Sequence, residues 1–303
     1  MLKTLHGLTL GLACLLAVFG MRQAAADVIV SVEGNVATAQ ILLEDGGGNY
    51  YQADATITFD SPINLTRESL NLTAEVVDPE DPGLTVRLPL NLLGAPVRVD
   101  PAFPVMITVE PPATPHLFTS SFDGPEDGTG VLSFTNTYEI EIHTHELVCT
   151  PDSQYRLFKA PLGGNFDDVT SELAMGSVRM RGRGGAFSQF LPVIDPRAAF
   201  GVATGKILVL NLRIVVAALS DLLRGDLLAL LGKVNALLIL DVGAAIVALD
   251  ELISTISADA GTEIANVWNA LHSVINDAGE MLSLAETLRF SLVQLQGTTP
   301  LCQ

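Results

Sequence analysis

The hydrophobic period of this chain changes once along its length, and that change limits what it can fold into. From Asp27 to about Pro196 apolar residues recur at every second position. Tyr51, Ala53, Ala55, Ile57 and Phe59 alternate with Gln52, Asp54, Thr56 and Thr58; Leu70, Leu72, Ala74 and Val76 repeat the pattern, as do Tyr138, Ile140 and Ile142. A period of two belongs to half-buried strands. Runs such as Glu44 to Asn49, Asp78 to Gly83 and Asp123 to Gly128 carry the Gly, Pro, Asp and Asn of tight turns between them. Short strands, frequent turns and no intervening helix predict an antiparallel β-sandwich over residues 27–205.

Beyond about Gly205 prolines vanish until Pro300, and Leu and Ala dominate. Lys206 to Val216 reads as one last strand. After it Leu238, Val242, Ala245, Leu249, Leu252 and Ile256 step by three and four, which is helical spacing. A break at Asp259-Ala260-Gly261 precedes a second stripe from Ile264 to Leu295, predicted as one helix of about 35 residues and about 50 Å. Residues 206–303 are therefore expected to be mainly helical, a hairpin or bundle of helices behind the β-sandwich.

Residues 1–26 read as an export signal. Lys3 and His6 give a basic start, Leu8 to Gly20 an apolar run too short to span a bilayer, and Ala24-Ala25-Ala26 a small-residue cleavage site. The mature chain then begins at Asp27, outside the cytoplasm, in the periplasm or the medium. The whole chain has 16 bases and 34 acids; loss of Lys3 and Arg22 leaves 14 bases, so the mature net charge is near −20. That excludes nucleic acid and anionic lipid as electrostatic partners. Of the 3 cysteines, Cys14 leaves with the signal, and Cys149 and Cys302 remain as an even pair in an oxidising compartment. Their pairing is the expectation, with two separate thiols as the alternative.

His143-Thr144-His145 is the strongest chemical candidate. On a strand, positions i and i+2 share a face about 6.5–7 Å apart. Two imidazoles there suit Zn or Cu, Glu139 and Glu141 extend the same row with Glu141 as the candidate third ligand, and the other histidines after residue 26 are His116 and His272. The alternative is a solvated strand face. Arg179, Arg181 and Arg183 form another row, with Glu139 and Glu141 as expected cross-strand partners or, failing those, an external anion. The acidic turn beginning at Asp123 lacks the ligand spacing of an EF-hand. There is no Gly-x-Ser-x-Gly elbow, no His-Glu-x-x-His and no phosphate loop. A dispersed Ser-His-Asp triad is legible only from geometry.

Tyr138 to Pro196 holds Glu-Ile-His143-Thr-His145, a Cys-Thr-Pro turn, Tyr155-Arg-Leu-Phe-Lys-Ala-Pro-Leu-Gly-Gly164, Phe166-Asp-Asp-Val-Thr170 and Phe187-Ser-Gln-Phe190. This stretch resembles a group of exported bacterial β-domain proteins of unknown function. The resemblance covers about a fifth of the chain. It implies a bacterial exported β-domain and carries no catalytic residues, so no catalytic or cofactor-binding residue is named.

The expected role is thus non-catalytic: structural or interacting, extracytoplasmic, with an envelope or cell-surface partner. One alternative is a metal protein, or a metal-dependent enzyme, at His143 and His145. The other is membrane attachment through the apolar stretch Leu227 to Leu249, which Lys233 and Asp241 disfavour at roughly 2.5–3.5 kcal/mol each near a bilayer centre.

Overall fold

Alternation becomes strand and three-four spacing becomes helix in the computed structural model, which describes residues 26–91, 94–113, 130–150, 153–174 and 176–297. The candidate signal, His116, the acidic turn at 123–130 for all but its last residue, and Cys302 lie outside the described residues. In chain order the elements are β1 (Ala26–Glu33), β2 (Val36–Glu44), β3 (Tyr50–Ile63), α1 (Arg67–Leu70), β4 (Leu72–Val76), α2 (Pro82–Thr85), β5 (Arg98–Val99), β6 (Val105–Val109) and β7 (Ser133–Cys149). Then follow β8 (Tyr155–Ala160), β9 (Asp167–Asp168), β10 (Thr170–Ala174), β11 (Gly176–Gly184) and β12 (Gln189–Ile194). The chain ends with α3 (Ala199–Val216), α4 (Asp221–Leu240), α5 (Val242–Asp259), β13 (Val267–Asn269) and α6 (Asp277–Gln296).

The strands form two antiparallel sheets. One runs in the order β1-β2-β3-β7-β11-β10, with β13 also on β7; the other runs β4-β6-β12-β8-β9, with β5 on β12. Alternate residues of the first sheet (Ile41, Leu43, Ile57, Ile140, Ile142, Met180) face Val105, Ile107, Leu157 and Phe190 of the second, and all are buried. A second small core covers the far side of the second sheet: Leu84, Leu88, Val97 and Phe166 pack on Phe158, Leu191 and Val193. The expected β-sandwich followed by helices is the observed fold.

The partition of the helical region differs from expectation in three places. Residues 206–216 are not a strand but most of α3, whose Ala203, Ile207, Leu210 and Ile214 make one buried stripe. An apolar run of that length fits either period, and packing against α6 decides for the helix. The first long helix breaks at Asp241, whose carboxylate accepts from Ala244 N at 3.0 Å and caps α5. The second is not continuous from Ile264. Residues 264–276 are loop and strand because Trp268 enters the sandwich core, stacked on Phe134 with centroids 5.2 Å apart. Asn276 then caps α6, accepting from Gly279 N at 2.9 Å. The hairpin is therefore a four-helix layer, with α3 and α5 flanking α6 and α4 lying on α5.

The stretch Leu227 to Leu249 is divided between α4 and α5, and Leu227, Leu231, Val234 and Leu238 are buried in the helical core. Among the described residues one helix, α3, is long and apolar enough to cross a membrane by length and composition.

Candidate metal centre

Three neighbouring strands place the candidate side chains on the outer face of the first sheet. Along β7, Glu139, Glu141 and His143 point the same way. On one side they face Thr58, Thr56 and Asp54 of β3, and on the other Arg183, Arg181 and Arg179 of β11. The two arginines nearer the helices are paired as expected. Arg181 Nε donates to Glu141 at 2.6 Å and its Nη1 to Glu172 at 2.8 Å, while Arg183 Nη2 reaches Glu139 at 3.4 Å.

At His143 the ladder is interrupted. Arg179 lies opposite His143, but Ser177 lies opposite Val148, so β7 carries extra residues against Val178. This bulge has its own fastenings. Thr144 Oγ1 is buried and donates to Val178 O at 3.2 Å, and Glu146 accepts from Gln52 N at 2.8 Å where a ladder bond would otherwise sit. Bulges re-aim side chains. Here the ring centroids of His143 and His145 come within 4.6 Å, closer than the spacing of a regular strand.

Asp54 completes the group. Its Oδ2 is 3.0 Å from His145 Nε2 and 3.7 Å from His143 Nδ1. One ligand atom from each of Asp54, His143 and His145 lies within 4.8 Å of the others. Ligands about 2.0–2.1 Å from a tetrahedral ion stand roughly 3.4 Å apart, so these distances need little adjustment. The other nitrogen of His143, Nε2, is 2.5 Å from Ser177 Oγ. Such an outer hydrogen bond fixes the ring and leaves Nδ1 free to ligate. Burial pushes the His143 pKa down, helped by the Arg179 guanidinium and His145 and opposed by Asp54 and Glu141. A neutral imidazole is the form that binds metal.

Of the residues expected from sequence, His143 and His145 are brought together and Glu141 is not. Its carboxylate is held by Arg181, and Asp54 takes the third position. The missed signal was the period of β3: Asp54 sits on the polar face of the alternating run from Tyr51, but register with β7 is invisible in one sequence. Ser177, His143 and Asp54 also stand in the order of a nucleophilic triad. Yet Asp54 lies beyond hydrogen-bond reach of Nδ1 at 3.7 Å and is engaged by His145 instead.

The other expected pair is half visible. Cys149 ends β7 with its side chain buried, and Cys302 lies outside the described residues.

No curated protein and no solved structure matches the chain. A family model described as Family of unknown function (DUF6689) matches residues 11–296, which takes in the helical region as well as the sandwich. The match covers most of the chain, and the protein belongs to this family of unknown function.

Proposed function

We propose that this is an exported bacterial binding protein, non-catalytic, that holds one Zn or Cu ion at Asp54, His143 and His145. The observation that carries the metal is the carboxylate of Asp54 between two imidazoles on the sheet face. Arg181 and Arg183 are occupied by Glu139, Glu141 and Glu172, and among the described residues the ion-pair contacts of Asp54 are with His143 and His145. Two neutral imidazoles and one carboxylate suit a borderline divalent ion. The groove that reaches Asp54, about 260 Å³, is lined also by Asp27, Ile29, Gln40, Leu42 and Gln52. The non-catalytic part of the reading rests on the sequence, which carries no Gly-x-Ser-x-Gly elbow, no His-Glu-x-x-His and no phosphate loop.

Export is supported by the basic start, short apolar run and Ala24-Ala25-Ala26 of the sequence. In that compartment Cys149 and Cys302 pair and tie the end of the chain to the end of β7. Metal analysis of mature protein, purified from periplasm or medium without chelator, tests the reading. About one equivalent of Zn or Cu is expected, and metal-free protein that takes up neither ion rejects it.

A further inference from the structure

Where the sandwich meets the helices there is a cleft of about 420 Å³ that shares no lining residue with the candidate metal centre and has a distinct chemistry. Its volume is in the range of small-molecule pockets. Apolar walls come from Phe187, Trp268, Val274, Ile275 and Leu284. Val274 and Ile275 are 43% and 62% exposed, so this apolar wall is open to solvent.

The charged groups of the cleft are incompletely satisfied. Arg213 of α3 has Nε and Nη2 buried without a hydrogen bond, although Nη2 lies 2.9 Å from Asp277 Oδ1 as an ion pair. Glu280 Oε1 of α6 is likewise buried without a hydrogen bond, and its nearest cation, Lys159 Nζ, is 3.8 Å away. Buried polar groups are ordinarily paired, and leaving one unpaired costs about 1–3 kcal/mol. The Arg213 guanidinium, 23% exposed and ion-paired through Nη2, and the Glu280 carboxylate, 29% exposed and 3.8 Å from its nearest cation, therefore both line a cleft with apolar walls.

We propose that this cleft binds a small zwitterion with an apolar side chain, of the class of a free α-amino acid. Arg213 takes the carboxylate, Glu280 takes the ammonium, and the side chain lies against Trp268 and Phe187. Charge selects the class. Lys159 and Arg213 face Asp167, Asp277 and Glu280, in a protein with a net charge of −18, so a net anion is repelled while a neutral zwitterion is not. The inference is independent of the metal reading.

Trp268 is the only tryptophan of the chain and lines the cleft, so its emission reports occupancy. The test is titration of the whole mature protein with L-phenylalanine, followed by calorimetry and by Trp268 emission. Parallel titrations use 3-phenylpropanoate, which lacks the ammonium, and phenethylamine, which lacks the carboxylate. Saturable 1:1 binding of phenylalanine with a shift in Trp268 emission is expected, each half-ligand being at least about tenfold weaker, as loss of one charge-assisted bond requires. Glu280→Gln, checked for an unchanged thermal transition, should weaken phenylalanine and leave 3-phenylpropanoate binding as tightly as before or more tightly. No binding of phenylalanine at millimolar concentration, or equal binding of either half-ligand, overturns the proposal.

Discussion

Lys206 of α3 and Asp168 of β9 meet at 2.8 Å in the interior, each side chain less than a tenth exposed. The lysine also donates to Thr287 O of α6 at 3.0 Å, so one ammonium joins the sandwich to two helices. Removing one partner of a buried pair leaves an uncompensated charge and typically costs about 3–5 kcal/mol. Lys206→Met should therefore lower the unfolding free energy by about that amount, measured by urea denaturation. Adding Asp168→Asn should restore part of it. A single-variant loss below about 1 kcal/mol would mean the pair is not buried as described.

The same pair sets a pH dependence. Burial raises the Asp168 carboxyl, but the Lys206 and Arg156 cations and the bonds from Lys206 and Thr170 outweigh it, leaving the pKa below the ordinary 3.8. A carboxyl depressed on folding contributes stability that is complete above its unfolded pKa and is lost as pH falls through the folded value. Stability should thus drop as pH falls below 3.8, and Asp168→Asn should flatten that part of the profile. Identical acid limbs in wild type and variant would remove Asp168 from the explanation.

The docking of α6 rests on backbone contact. Asn276 Nδ2 donates to Asn136 O at 2.7 Å and Gly185 O at 3.1 Å, and a Cβ on Gly279 would stand 2.1 Å from Asn136 O. No flexible side chain can yield there, so Gly279→Ala should destabilise by about 3 kcal/mol or prevent folding. Gly225→Ala is the contrast. It lies within α4 with nothing within 4 Å of the added carbon, and should stabilise by about 0.5–1 kcal/mol. Thermal unfolding of the two variants tests both signs.

A fourth prediction concerns redox state. Intact mass of exported protein, with and without reductant and alkylation, should show Cys149 and Cys302 blocked until reduction. Two alkylatable thiols before reduction would contradict the pairing.

Much of this was legible in the sequence, for identifiable reasons. Strands such as β3 are buried on one face only, so Tyr51 to Phe59 wrote their period plainly. Helix boundaries were less legible. Trp268 and Val267 continue the apolar stripe of a helix, yet Trp268 is drawn into the aromatic cluster of Phe59, Phe134, Tyr138 and Phe187, and tertiary contact overrides the period. Residue 205, where the Leu- and Ala-rich run begins, falls inside α3, which starts at Ala199. At the candidate metal centre the two histidines announced themselves by spacing. Asp54 did not, because its place depends on the register of β3 on β7. Glu141 was displaced by Arg181, a competition that spacing alone does not reveal.

The most direct measurement is a calorimetric titration of chelator-treated mature protein with Zn²⁺ alone, beside Asp54→Ala, His143→Ala and Glu141→Gln. One saturable site is expected in the wild type, lost in Asp54→Ala and His143→Ala and retained in Glu141→Gln, with all proteins unfolding at similar temperatures. Wild-type protein that binds no Zn²⁺, or Asp54→Ala that binds it as tightly as wild type, would contradict a metal centre at Asp54, His143 and His145.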